Sequence, residues 1–419
     1  AYGTMITRIE IDGFKSFHQC AIDLHPFQVF IGPNGAGKSN LFDAITLLSH
    51  IAGDNTLIDA FRKGRGEIGE LFTLLPDGTR VRDMTFAIEM LIARETQDSS
   101  GVKVEVSATR LRYELAIEQR NEDGFERLYI QRESLRSIAG DDDKWVYQIP
   151  IATRKEWVVR SRRAPYISTS QDQRLIYLHQ DGRSGAKRET PLGFIERSIL
   201  SQVNNAEYPT VWAARQEMLN WQFLQLDPVA LRTPSNVYSN SIRLSADGSN
   251  LAAVLYRLSR EDEFALTDIS RDMANLVSGV LDITVKPIPE RAVYAIEAHM
   301  ADNSNFSSRV LSDGTLRLLT LVTLKNDPHC FGVLCLEEPE NGVHPARLKT
   351  RMFSVMSAIS LPKEMQESCY TLDQVRRFLD SDPMQQMRDL RIDLLRVTRR
   401  FSNWKYAPTV NHPIAILCL

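Results

Sequence analysis

Residues 32–39, Gly32-Pro33-Asn34-Gly35-Ala36-Gly37-Lys38-Ser39, have the types and spacing needed to hold phosphate. Glycine lets the backbone curl until successive N–H groups point inward, which makes a nest for anions. Lys38 can reach the β and γ phosphates, and the Ser39 hydroxyl can ligate Mg²⁺. Asn40 follows at the start of an amphipathic run, whose helix dipole favours an anion at the same end. The pattern predicts a bound nucleoside triphosphate.

Two further segments carry chemistry. The apolar run Phe331–Leu336 ends in Glu337-Glu338-Pro339-Glu340-Asn341-Gly342-Val343-His344-Pro345. Carboxylates at the carboxyl end of a buried strand sit where α/β sheets place ligands. One of them can hold the Mg²⁺ shell while the next orients or deprotonates the attacking water. The other segment is Val310-Leu311-Ser312-Asp313-Gly314-Thr315, followed by an apolar run. Ser312 and Asp313 are good helix N-cap types, and Gly314 permits close approach of a phosphate to the helix start.

These residues need a scaffold. Strands are predicted at 5–11, 19–24 and 27–31, the last leading straight into the phosphate loop. The helix after the loop should run to about His50 and stop at Gly53-Asp54. From 81 to 149 the period changes to two, as in Val102–Val106 and Leu111–Glu118, which predicts half-buried antiparallel strands. The turn Asn121-Glu122-Asp123-Gly124 leads to a strand over Phe125–Gln131. Arg62, Lys63 and Arg65 read as a solvated loop, with phosphate contact as the alternative.

Residues 151–200 hold ten Lys or Arg against five acids, densest at Arg160-Ser161-Arg162-Arg163 with Trp157 and Tyr166 close by. A basic solvated surface is the ordinary meaning; basic groups on phosphates with aromatics stacked on bases is the sharper one. Residues 191–232 read as an apolar, helical lid, with Trp212, Trp221 and Phe223 in its core. Further helices are expected from Pro345 to about Ile359 and over 371–403. No heptads are sustained anywhere.

Together the motifs carry a family resemblance. The order of phosphate loop, Leu311-Ser312-Asp313-Gly314-Thr315 and Glu337–Pro345 resembles an ABC-type ATPase head of the SMC, RecF and OLD-like branch. Ile9-Glu10-Ile11-Asp12-Gly13-Phe14-Lys15-Ser16-Phe17 and Asp247–Leu255 are similar to segments of the same heads. The resemblance spans 5–72 and about 245–350. It implies an α/β fold, a P-loop mixed sheet with an antiparallel β lobe and an inserted α/β lid domain. It also implies ATP and Mg²⁺ as ligands, with Lys38 and Ser39 on phosphate and metal, Glu337 on the metal, and Glu338 as the catalytic glutamate. Ser312, Asp313 and Gly314 would meet the γ-phosphate of a second head, and His344 would line the dimer seam. A switch histidine is expected after the next buried strand, but the late candidate His412 sits in an Asn-His-Pro turn. Loops in this family near 61–72 often carry a glutamine that is missing here.

The implied domains are a cloning remnant at 1–4, an N-terminal ATPase lobe over 5–149, the inserted lid over 150–240, a C-terminal ATPase lobe over 241–360 and a helical extension over 361–419. The implied function is an ATP-hydrolysing switch. It would dimerise head to head around ATP and control a separate nuclease or a nucleic-acid complex, in antiviral defence or DNA repair. A scaffold with little hydrolysis is the alternative. A transporter subunit is disfavoured by the 100–240 insertion. Asp380-Ser381-Asp382 follows an amphipathic run rather than a buried strand, which argues against an internal Toprim-type nuclease.

Composition is compatible with all of this. The chain has 419 residues and a net charge of −3, so no global field recruits nucleic acid and any such contact must be local. No apolar stretch approaches the roughly 20 residues that span a bilayer, which suits a cytoplasmic protein. Five cysteines without Cys-x-x-Cys spacing predict reduced thiols.

Overall fold

The computed structural model describes residues 4–24, 27–30, 35, 37–53, 56–97, 101–149, 151–160, 164–181, 187–205, 207–330, 332–337 and 414–418. They fall into two compact units. One takes the described residues up to 24 and from 35 to 221; the other takes 27–30, 222–337 and 414–418.

The chain opens with β1 (Met5–Asp12) and β2 (Cys20–Asp23), then β3 (Phe27–Phe30), which belongs to the second unit. The first unit resumes with α1 (Lys38–Ala52), α2 (Leu57–Arg62), β4 (Asp83–Leu91), β5 (Glu95–Gln97) and β6 (Lys103–Glu105). It continues with the long hairpin of β7 (Arg110–Glu122) and β8 (Phe125–Ser137), then α3 (Ile151–Trp157). It ends with β9 (Ile167–Thr169), β10 (Leu175–His179), β11 (Lys187–Pro191) and α4 (Pro209–Leu219).

Eight of these strands form one antiparallel sheet in the order β11-β10-β9-β8-β7-β4-β1-β2. The period-two reading holds in it: Leu111, Tyr113, Leu115 and Ile117 of β7 are buried, while Arg112 and Glu114 are half-buried on the other face. The strand expected over 102–106 shrinks to β6 and pairs only with β5 in a small separate hairpin. The expected boundary at 150 does not coincide with a break in the sheet. Leu135 pairs with Ile167, so β9, β10 and β11 extend the same sheet. Helix α1 ends where Gly53 caps it and packs against α2 and α4.

The second unit contains β12 (Gln222–Leu224), α5 (Pro228–Arg232), β13 (Ser235–Asn236), α6 (Leu251–Glu261) and α7 (Ala265–Leu276). After them come β14 (Val280–Ile288), β15 (Val293–Met300), β16 (Asn305–Ser307), α8 (Asp313–Asn326), β17 (Val333–Glu337) and β18 (Ile414–Cys418). Its core sheet is fully parallel, in the order β12-β17-β18-β3. All five residues of β17 are buried, and Val333–Leu336 form the continuous apolar run that a covered parallel strand requires. The 191–232 segment is therefore not all helix. Phe223 is a half-buried strand residue in β12, while Trp212 and Trp221 are buried as expected.

The free thiols of Cys330 and Cys335 are buried and that of Cys20 is half-buried; burial pushes Cys330 up to about 12. Among the described residues no helix is long and apolar enough to cross a membrane. The helices expected after Pro345, and Asp380-Ser381-Asp382, lie outside the described residues.

Candidate functional site

In the first unit, the described part of the phosphate loop is held by the turn between β1 and β2. Gly37 has a φ of +89°, and a Cβ there would lie 2.9 Å from Ser16 Oγ. Only glycine suits both the left-handed backbone and that close approach. Asn40 Nδ2 donates to the same Ser16 Oγ at 2.8 Å, and Asn40 N–H donates to Gly37 O at 3.1 Å. Gly35, with a φ of +83°, faces open space. Lys38 and Ser39 form the first turn of α1 and are half-buried. Gly32, Pro33, Asn34 and Ala36 lie outside the described residues.

One helical turn beyond Ser39, Asp43 gathers two cations. Lys15 Nζ donates to its Oδ2 at 2.7 Å and Arg65 Nε to its Oδ1 at 3.0 Å. Lys15 Nζ also donates to Arg65 O at 3.0 Å. Lys15 itself sits at a φ of 47°, with its N–H on Leu71 O. Arg65, read from sequence as part of a solvated loop, is thus tied to α1. Ser16 and Asp43 were not singled out by sequence reasoning. Their partners are 24 and 28 residues away, a separation at which no local pattern operates.

In the second unit, Glu337 ends β17 and is 8% exposed. It pairs with Cys418, and Cys418 pairs with Phe30 at the end of β3. The strand that feeds the phosphate loop and the strand that carries the carboxylate therefore finish level, at the carboxyl edge of one parallel sheet. On the other side Leu224 pairs with Leu336, so Gln225 leaves β12 beside Glu337. Gln225 is exposed there. Glu338, His344 and His412 lie outside the described residues. By sequence His412 precedes β18, so it stands ahead of that strand rather than after it.

Ser312 is the N-cap of α8 as predicted: its Oγ accepts from Thr315 N–H at 3.2 Å. Asp313 is the first helical residue and is ion-paired with Arg232 from α5, whose Nη2 also donates to Leu311 O at 3.2 Å. One turn on, buried Arg317 donates to Leu226 O at 2.9 Å. The segment 226–232 therefore braces the amino end of α8.

The aromatic platform suggested for 151–200 is not available. Trp157 is 1% exposed and Tyr166 is fully buried, so neither can stack on a base. Arg160 is paired with buried Asp143 at 3.0 Å. Arg162 and Arg163 lie outside the described residues.

With this geometry in place, known proteins supply the family. The model described as "AAA domain, putative AbiEii toxin, Type IV TA system" matches residues 27–356. The chain belongs to that AAA family. A 56-residue stretch is 38% identical to the DNA replication and repair protein RecF of Acidothermus cellulolyticus, covering 13% of this chain and 15% of RecF. Another match, 44% identical over 57 residues, is to structural maintenance of chromosomes protein 1 of Schizosaccharomyces pombe, covering 12% and 5%. The chain thus spans only a small part of each of these curated relatives. A crystal structure of the SmcHead bound to the C-winged helix domain of ScpA aligns over 85% of this chain and 86% of that one, at 15% identity and a TM-score of 0.46. The chain is an AAA-family domain, α/β in class, with short stretches similar to RecF and to an SMC protein.

Proposed function

We propose that this AAA head is an Mg²⁺-dependent ATP hydrolase working as an assembly switch. The observation that carries the reading is the shared edge of the parallel sheet, where β3 runs out toward the phosphate loop level with Glu337. On this reading Gly32–Asn40 cradle the triphosphate, with Lys38 on the β and γ oxygens. Ser39 and Glu337 would hold Mg²⁺, since a hydroxyl and a strand-end carboxylate are the hard oxygen donors that this ion takes. Gln225 is a further oxygen donor for the same edge. The bound ion would neutralise charge building on the phosphates. Glu338 accepts the proton of the attacking water.

A nucleotide bound by one head leaves its γ-phosphate open to solvent. Ser312 and the N–H groups around Gly314 of a second copy supply the missing donors, and His344 lines the seam. Assembly then reports nucleotide state, because hydrolysis removes the group that bridges the copies. The output is passed to a separate effector, of which a nuclease acting in antiviral defence is our preferred case and DNA repair the second. A static scaffold with little turnover is the alternative. Phosphate release under steady-state conditions separates the two: sustained release favours the switch, and its absence with ATP bound favours the scaffold. For the site itself, Lys38→Ala should abolish ATP binding measured by calorimetry. Each lost charge-assisted hydrogen bond costs about 1.5–3 kcal/mol. Unchanged affinity would remove the assignment.

A further inference from the structure

Helix α1 has its phosphate-facing residues at one end and an anchor at the other. Fifteen residues long, it extends about 22 Å, and its last turn presents carbonyls that have no partner within the helix. One of these, Ala52 O, accepts from Arg215 Nε of α4 at 2.9 Å. The same guanidinium donates through Nη1 to Val203 O at 2.8 Å and lies 5.7 Å from the Trp212 ring centroid. Arg215 is only 5% exposed. A cation at a helix carboxyl terminus is stabilised by the macrodipole, and here water scarcely screens it.

Helix α4 is fixed in its turn at several points. Trp212 Nε1 donates to Gln97 O at 2.9 Å next to the β5–β6 hairpin. Thr210 Oγ1 accepts from Ser107 N–H at 3.0 Å and donates to Asp181 Oδ2 at 2.5 Å. The segment between β11 and β12 therefore grips the far end of the phosphate-loop helix. A helix is stiff along its axis, so clamping its carboxyl end limits sliding and tilting at Lys38 and Ser39.

We propose that Arg215 is a positioning residue for nucleotide binding: through Ala52 O it sets where α1 presents Lys38 and Ser39 to the triphosphate. This rests on the reading of residues 32–40 as the ATP site. It assigns to α4 a role in tuning nucleotide affinity that neither the phosphate loop nor the strand carboxylates supply.

The test compares three variants by calorimetric titration with MgATP and by steady-state kinetics. Arg215→Ala should raise the MgATP Kd and KM about tenfold, the scale of one partly buried helix-terminus charge, with kcat at saturation changed less than about twofold. Arg215→Lys, which keeps the charge but has a single donor nitrogen in place of Nε and Nη1, should fall between this variant and the parent. Ile176→Ala in β10 is the stability control; it opens a cavity at a fully buried position and should leave Kd unchanged. If Arg215→Ala binds MgATP like the parent, or if Ile176→Ala weakens binding equally, the positioning role is wrong. Should Arg215→Ala fail to fold, Arg215→Lys decides: weaker binding supports the role and an unchanged Kd overturns it. Retained binding in Lys38→Ala would instead remove the site reading itself, so the two failures are distinct.

Discussion

Phe30 and Glu337 stand level across a single intervening strand, each paired in register with Cys418. At the spacing of neighbouring strands this puts their backbones about 10 Å apart, at the carboxyl edge of the parallel sheet.

The roles of the two glutamates separate by mutation. Glu337→Gln should weaken the Mg²⁺-dependent part of ATP binding, because an amide is a poorer ligand than a carboxylate. Glu338→Gln should bind ATP as the parent does and lose most turnover, since an amide cannot take the water's proton. Binding titrations with and without Mg²⁺, paired with phosphate release, check both. Exchanged phenotypes would show that the pair is offset by one residue.

Gly37→Ala tests the grip of the β1–β2 turn on the loop. The added methyl would meet Ser16 Oγ at 2.9 Å on a backbone with φ of +89°, so the Ser16 hydroxyl must turn away and the loop backbone is strained. ATP affinity should fall about 5- to 150-fold, given a strain of about 1–3 kcal/mol. Parent-like affinity would mean that this contact does not shape the site.

A third prediction concerns stability rather than chemistry. Glu133 is fully buried on β8. Its Oε1 accepts from Ser198 Oγ at 2.8 Å, Leu200 N–H at 3.0 Å and Tyr113 Oη at 3.1 Å, and its Oε2 accepts from Ile199 N–H at 2.7 Å. Glu133→Gln must set an amide NH₂ against at least one of these donors and should cost about 1–3 kcal/mol in denaturant unfolding. Burial raises the Glu133 carboxyl above its ordinary 4.5, so the folded chain binds this proton more tightly than the unfolded chain. Its contribution is complete below pH 4.5 and declines as pH rises through the folded value. Unfolding measured across that window should lose this slope in Glu133→Gln; an unchanged slope would assign it to other groups.

The sequence made some of this architecture legible and hid the rest for physical reasons. Local signals worked where one element sets its own pattern. The run before Gly32 marked β3, alternation marked β7 and β8, and Ser312 marked the start of α8. Long-range pairing was not legible. Nothing around Leu135 or Ile167 shows that they pair, so the strands of 150–191 read as a separate lid instead of an extension of the sheet. Base stacking by Trp157 and Tyr166 stayed open as the alternative to a basic surface, because burial depends on tertiary contacts that composition does not reveal. The same limit hid Ser16 against Gly37, Asp43 between Lys15 and Arg65, and Gln225 beside Glu337.

The central claim is that two copies complete each other's sites, and one mixing experiment tests it most directly. On the proposed reading a Lys38→Ala chain cannot hold ATP and a Ser312→Arg chain cannot complete its neighbour's site; the latter also loses an N-cap worth about 1 kcal/mol. Mixed, they should restore one working site per heterodimer, seen as ATP-dependent dimers in sedimentation and recovered phosphate release, while neither variant alone shows either. Oligomers indifferent to ATP, with no hydrolysis regained on mixing, would contradict the trans-acting switch.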